Sequence, residues 1–386
     1  MLFFWYIKAI KSAGHAIVHL VIDTPRAAGD RELSEYTDAI EVGTNFVVTH
    51  EIFPVSHLFT YKTCSLEPQL PSARTLSDIR HFDPHITVCF DILAAAVAKK
   101  MGLSNLLVWL GDLTYQTALY HAIYDVMTHP AKLLALPRVL LNCAVWKRLY
   151  RRTLNGQAHV IVASKSSEKM IKSLGVNSSY LPYPWPGANP QREPQEKYVA
   201  PTFIMFGTLM ALGSRSAFHF LLKKVYPLLV AQWGTNGFQI LIAGSREMPQ
   251  WVKAEVEIRP ELKFIGFVDD LATLVDQCHA VLAPISVPVG NRSRIVTAMS
   301  MGCVVIAHKN TALGNPELVS GENCFLAETA KDYAMYMRRS YELPQEAERI
   351  GRAARSKYLE IFEPGVASPR LLQSFDFACA GVPTVS

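Results

Sequence analysis

The chain has 386 residues, half of them hydrophobic, 18% charged and 10% aromatic, with a formal net charge of +5. That length exceeds what one hydrophobic core sustains, so two domains are expected, and the apolar content excludes a disordered chain. The small positive excess suits phosphate-bearing small molecules or an anionic surface and falls short of the clustered basicity of a nucleic-acid binder.

In chain order, MLFFWYIKAIKSAGH opens with an apolar run too short to cross a bilayer, without a basic residue ahead of it or a small-residue cleavage site, so no signal peptide is expected. No later stretch reaches the length of uncharged residues that a membrane-spanning helix needs. Short β-branched runs then alternate with helical patterns, which is the signature of parallel sheets built from βαβ units. In the first half the predicted strands are His15–Ile22, Asn45–Val48, Leu58–Thr60, Ile86–Phe90, Leu106–Leu110 and His159–Ala163. The segment YLPYPWPGANPQREPQEKYVAP carries six prolines, which forbid a continuous helix or central strand and mark a linker. The second half repeats the alternation with predicted strands at Phe203–Phe206, Phe238–Ala243, Lys263–Phe267, Ala280–Ala283 and Val304–Ala307. These features divide the chain into an N-terminal α/β domain over 1–183, a linker over 184–200, a second α/β domain over 201–360 and a tail over 361–386 that is expected to pack on the first domain. The seven cysteines form no CxxC pair, which argues against a disulfide scaffold or structural zinc and for reduced thiols in a cytoplasmic protein.

Ligands of open parallel sheets bind beyond the carboxyl ends of the strands, where loop amides and helix N-termini converge. In the second half that rule selects Gly207 and Thr208, Gly244 to Arg246, Val268, the loop Pro284 to Arg294, and His308 to Gly314. PISVPVGNRSR followed by IVTAMSMG is the most informative of these segments. Gly290 allows close backbone approach, a helix is predicted to start near Ser293, and Arg292 and Arg294 offer bidentate donors for a diphosphate. Two solvated arginines at the start of a surface helix would give the same pattern.

FIMFGTLMALGSRSAFHFLLKKVYPLL, FQILIAGS, LKFIGFVDDLATLVDQCHAVLAPIS and VGNRSRIVTAMSMGCVVIAHKNTALGNPELVSGENCFLA follow one another in the order and spacing of GT-B glycosyltransferases of the family 4 type. AHVIVASKSSEKMIKSLGV resembles the last strand and helix of that family's acceptor domain, and IKAIKSAGHAIVHLVI its first helix and second strand. The resemblance implies two Rossmann-like domains facing across a cleft. It implies transfer of a sugar, with retention, from a nucleotide-sugar co-substrate to a glycan or lipid-linked acceptor in polysaccharide or envelope assembly. Gly207, Thr208, Gly244, Gly290 and Asn291 would then lie against the donor, Val268 beside the base, and Arg292 and Arg294 on the leaving diphosphate. No DxD motif is present, so neither a metal nor another cofactor is expected.

The sequence departs from the family at two places. Val289 and Thr297 stand where the family carries two glutamates, the second of which binds ribose, so a catalytically degenerate binding or regulatory protein is the alternative reading. The chain also opens in the family's first helix, without the strand and Gly-rich loop that precede it. On the acceptor side, Asp91 and Asp112 could each orient a sugar hydroxyl or act as general base in an inverting reaction; Asp112 after Gly111 is preferred, Asp91 is equally a helix N-cap, and His50 with Glu51 is a weaker pair. The stretch from His129 to Gly156 interleaves leucines and Trp146 with Lys147, Arg148, Arg151 and Arg152, and reads either as a helix lying on an anionic membrane or as an ordinary surface helix.

Overall fold

The computed structural model describes residues 2–23, 46–52, 68, 70–156, 158–187, 195–288 and 292–376. The chain forms two compact units, Met1–Pro184 together with Pro364–Ser386, and Trp185–Glu363.

In the first unit, α1 (Leu2–Ser12) is followed by β1 (Ile17–Asp23) and β2 (Phe46–Ile52), which pair in parallel as a two-stranded sheet. A second, four-stranded parallel sheet contains β3 (Thr87–Phe90), β4 (Leu106–Leu110), β5 (Ala158–Val162) and β6 (Ser178–Tyr180) in that order. Every residue of β4 is buried, as expected of the unbroken apolar run LLVWL in an inner parallel strand. The apolar start of the chain finds its partners here. Phe3 of α1 packs on Phe90 and Trp109, with ring centroids 4.4 and 5.7 Å away, and Tyr6 stacks on Phe90. Between β4 and β5 the chain inserts a helical hairpin of α2 (Thr114–Thr128) and α3 (Leu136–Leu154). The predicted strand at Leu58–Thr60 lies outside the described residues.

The second unit is built on one six-stranded parallel sheet of β7 (Thr202–Phe206), β8 (Gln239–Ala243), β9 (Leu262–Gly266), β10 (Ala280–Ala283), β11 (Val305–His308) and β12 (Phe325–Ala327). Its spatial order, β12-β11-β10-β7-β8-β9, reverses direction between β7 and β10. That is a doubly wound sheet with its topological switch point at this pair. The β7–β8 ladder runs to Phe206↔Ala243, whereas β7 and β10 pair only through Ala280↔Phe203 and Val281↔Ile204. The two strands thus part before their carboxyl ends, and a crevice opens there. α4 (Leu212–Phe220) follows β7 and passes through a π-turn at Leu221–Val225 into a helix that starts at Tyr226, where Pro227 lacks the N–H that would continue a regular ladder. α5 (Ser293–Ser300) follows β10.

α6 (Pro344–Ile361) closes the second unit by packing Gly351 against the turn at Gly302. A Cβ at position 351 would collide with the Gly302 carbonyl oxygen. Gly→Ala in an exposed helix interior stabilises by about 1 kcal/mol. Here the sign reverses, and Gly351→Ala is expected to lower stability by about 2–3 kcal/mol through overpacking against backbone, read as a shift in the urea midpoint.

Candidate active site

Three consecutive strands of the second unit end in glycines that hold left-handed backbone angles: Gly207 (φ 113°) after β7, Gly244 (φ 100°) after β8 and Gly266 (φ 81°) in β9. The Gly207 N–H donates to Ala243 O at 3.0 Å and the Gly244 N–H to Gly266 O at 2.8 Å, so the carboxyl edge of the sheet is stitched across. A Cβ on Gly244 would lie 2.6 Å from the Gly207 nitrogen, and one on Gly207 would lie 3.1 Å from the Arg294 guanidinium. Gly207 therefore contributes room rather than a donor, since its amide is already engaged.

Arg294 occupies that room. It is the second residue of α5, and its Nη2 donates to Ser214 Oγ at 2.6 Å; Ser214 Oγ in turn donates to Thr208 O at 2.5 Å. Ser214 stands in the first turn of α4, so the bond joins the two helices that follow the switch-point strands. Neither helix has a side-chain cap at its N-terminus. Burial pushes the Arg294 pKa down to about 10, which leaves it charged at neutral pH. Among the described residues no carboxylate forms an ion pair with it. A half-buried cation between two uncapped helix N-termini is an environment that favours an anion.

Arg292 is placed differently. It is 4% exposed and turns back into its own loop, with Nη2 donating to Val287 O at 2.8 Å. Asn310 Nδ2 donates to Ser286 O at 2.5 Å, and His308, whose pKa burial and nearby Lys309 lower, accepts from Asn310 N through Nδ1. These bonds set the shape of the loop that delivers Arg294. Val289, Gly290 and Asn291 lie outside the described residues. Val268 is half-buried beyond Gly266, two strands along from Gly207, or about 10 Å by the usual strand spacing. The structure thus brings together Gly207, Thr208, Gly244 and Arg294, gives Arg292 a loop-forming contact, and adds Ser214, which strand-end reasoning overlooks because it sits inside a helix.

Thr297, where the resemblance calls for a ribose-binding carboxylate, accepts a hydrogen bond from Trp185 Nε1 at 2.8 Å. Trp185 is itself held by Phe362 O on its N–H and by the Tyr358 hydroxyl on its carbonyl.

In the first unit, Asp91 and Asp112 follow the neighbouring strands β3 and β4. Asp91 has φ 100°, strained for a residue with a Cβ, and its carboxylate caps the following helix by accepting from Leu93 N at 3.3 Å. Its side chain reaches solvent, yet desolvation by the surrounding protein raises its pKa, and its charge adds to the burial that lifts the nearby Tyr150 hydroxyl. Tyr150 Oη accepts from Thr114 N at 3.2 Å. Asp112 is exposed. The strain at Asp91 leaves no mark in the sequence. His50 and Glu51 lie in β2, with their side chains outside the described residues.

Residues 200–342 match the sequence profile of glycosyl transferases group 1. No curated protein matches the chain. Among solved structures, HepE of Anabaena, in complex with UDP and glucose, is 14% identical with a TM-score of 0.63 over 97% of this chain and 95% of its own. Sucrose-phosphate synthase of Thermosynechococcus elongatus is 14% identical with a TM-score of 0.63 over 98% and 92%. TarM of S. aureus, in complex with fondaparinux, α-GlcNAc-glycerol and UDP, is 13% identical with a TM-score of 0.57 over 79% and 58%. These likenesses establish the fold.

An arginine held without a counter-ion adds little to folding, because an apolar residue of similar volume avoids the desolvation cost. Arg294→Met is expected to hold the urea midpoint or raise it by the equivalent of about 1 kcal/mol. A loss of about 2 kcal/mol, the size expected when buried bonds are broken, would make Arg294 a structural residue instead.

Proposed function

We propose that the chain, which has the GT-B fold and matches the group 1 profile over residues 200–342, is a glycosyltransferase and that Arg294 is the cation on which its donor diphosphate rests. The donor is a nucleotide sugar and the acceptor a glycan or lipid-linked saccharide of polysaccharide or envelope assembly. Transfer takes place in the cytoplasm, with retention of configuration and without a metal. The observation that carries this reading is the Arg294 guanidinium, without an ion-pair partner among the described residues, between the uncapped N-termini of α4 and α5 at the switch point.

Cleaving the bond between sugar and diphosphate leaves negative charge on the departing oxygen. Arg294 and the N-terminal amides of α4 and α5 are fixed before reaction, and such preorganised charge stabilises the transition state more than the ground state. Ser214 holds the guanidinium in place, and Gly207 and Gly244 keep the floor beneath it free of side chains. Arg292 positions the loop through Val287 rather than touching the diphosphate. On the acceptor side, Asp91 is as strong a candidate as Asp112 to orient the acceptor hydroxyl, or to serve as the general base that an inverting transfer would require, because the protein around it raises its pKa.

HepE and TarM were both solved with UDP, so uridine is the first base to test. Calorimetric titration with UDP, GDP and ADP is expected to show binding of one nucleotide. Arg294→Ala is expected to weaken it by about ten- to a hundredfold, the usual cost of a lost hydrogen bond to a charged group. The hydrogen bond between Trp185 and Thr297 favours the alternative, a degenerate binding protein, because it occupies the position of the ribose carboxylate. Absence of binding for all three nucleotides, in protein shown to be folded, would select that alternative.

If the transfer inverts instead and Asp91 is its base, Asp91→Asn should lower kcat by about a hundredfold or more with KM little changed, and Asp112→Asn should leave kcat within about threefold of the original. The reverse pattern would return the role to Asp112.

A further inference from the structure

The hairpin of α2 and α3 is out of keeping with the rest of the first unit. None of residues 117–142 is buried. Its fully buried residues lie only where it joins the core, at Tyr115 and Gln116 on one side and from Cys143 onward on the other, with Ala118, Leu119 and Val139 packing on the core while partly exposed. The part that stands clear of the core displays large apolar side chains: Ile123, Met127, Leu133, Leu134, Leu140 and Leu141 are all exposed. Leu134, in the 3-10 turn Pro130–Ala135 at the tip, is 91% exposed, and Met127 is 74% exposed. Single exposed leucines are ordinary on a protein surface, but six on one short hairpin are a patch.

The charge on this hairpin is equally one-sided. Residues 114–156 carry six basic side chains and a single carboxylate, Asp125, which Lys132 neutralises at 2.9 Å. The segment's net charge of +5 equals that of the whole chain, so the remaining residues balance to zero. Along α3 the exposed face passes from Leu140 and Leu141 to Arg148, Arg151 and Arg152, and among the described residues no carboxylate forms an ion pair with these three arginines.

We propose that this hairpin is a membrane-docking element whose leucine-bearing tip enters the interface of an anionic bilayer while Arg148, Arg151 and Arg152 bind lipid phosphates. An apolar tip flanked by cations fits that surface on both counts: the acyl boundary accepts the leucines and the headgroups supply the missing counter-charge. Neither described helix is long and apolar enough to cross the membrane, so the attachment is interfacial and reversible. A second copy of this chain would present the same +5 segment and repel it, which favours lipid over self-association.

The test is flotation of the full chain with vesicles of phosphatidylcholine alone and of phosphatidylcholine with phosphatidylglycerol, at low and physiological salt. The chain is expected to float only with the anionic vesicles, and less at higher salt. Replacing Leu133 and Leu134 by serine, or Arg148, Arg151 and Arg152 by glutamate, should each lower the partition coefficient by about tenfold or more. Circular dichroism and nucleotide titration serve as controls and should be unchanged in both variants, which keeps this outcome separate from that of the donor site. Equal flotation with neutral vesicles, loss of neither contribution in the variants, or a dimer in light scattering that the serine variant dissolves without any vesicle binding would overturn the proposal.

Discussion

The second unit depends on how closely the ends of β7 and β8 approach each other. Backbone atoms of Gly207 and Gly244 lie where a single Cβ would intrude, and the amide of each glycine is spent on the next strand. This stitching pulls the chain flat against the sheet edge and leaves a hollow above Gly207. Arg294 can lie in that hollow only because nothing projects into it. The cost is positive φ at Gly207, Gly244 and Gly266, which glycine tolerates and residues with a Cβ adopt only under strain.

The switch point acts on the same hollow from the other side. Because β7 and β10 separate after Val281↔Ile204, the helices that follow them start on opposite lips of a crevice, and the bond from Arg294 to Ser214 bridges it. A side chain that spans a crevice with its charge unbalanced is costly to the empty protein. The arrangement makes sense when the missing charge belongs to a ligand, which is why one interaction governs both the packing of these helices and the reading of their function.

Much of this was legible in the sequence. The unbroken runs FIMF, ILIA and AVLA are central parallel strands because both their faces are covered, and the rule that ligands lie beyond such strands selected Gly207, Gly244 and Arg294. β6 and β12 escaped, since SSY and FLA are three-residue edge strands with too little pattern to read. The two arginines looked equivalent in NRSR, but helix geometry separates them: Arg292 is the N-cap and folds back on its loop, whereas Arg294 lies a turn position further on and faces Gly207. The helical hairpin stayed between two readings, because leucines at helical spacing suit a face buried in the core as well as one turned to a membrane.

The absent carboxylate at position 297 and the presence of Trp185 belong together. Trp185 opens the second unit and Phe362 stands next to its end, so the bond from the Trp185 amide to Phe362 O ties together the two segments by which the chain enters and leaves it. The indole extends that tie to Thr297 on the helix that carries Arg294. A threonine hydroxyl suffices as the acceptor for the indole N–H, so the tie needs no carboxylate at this position. The chain therefore uses this helix position to fasten the two segments by which it enters and leaves the second unit.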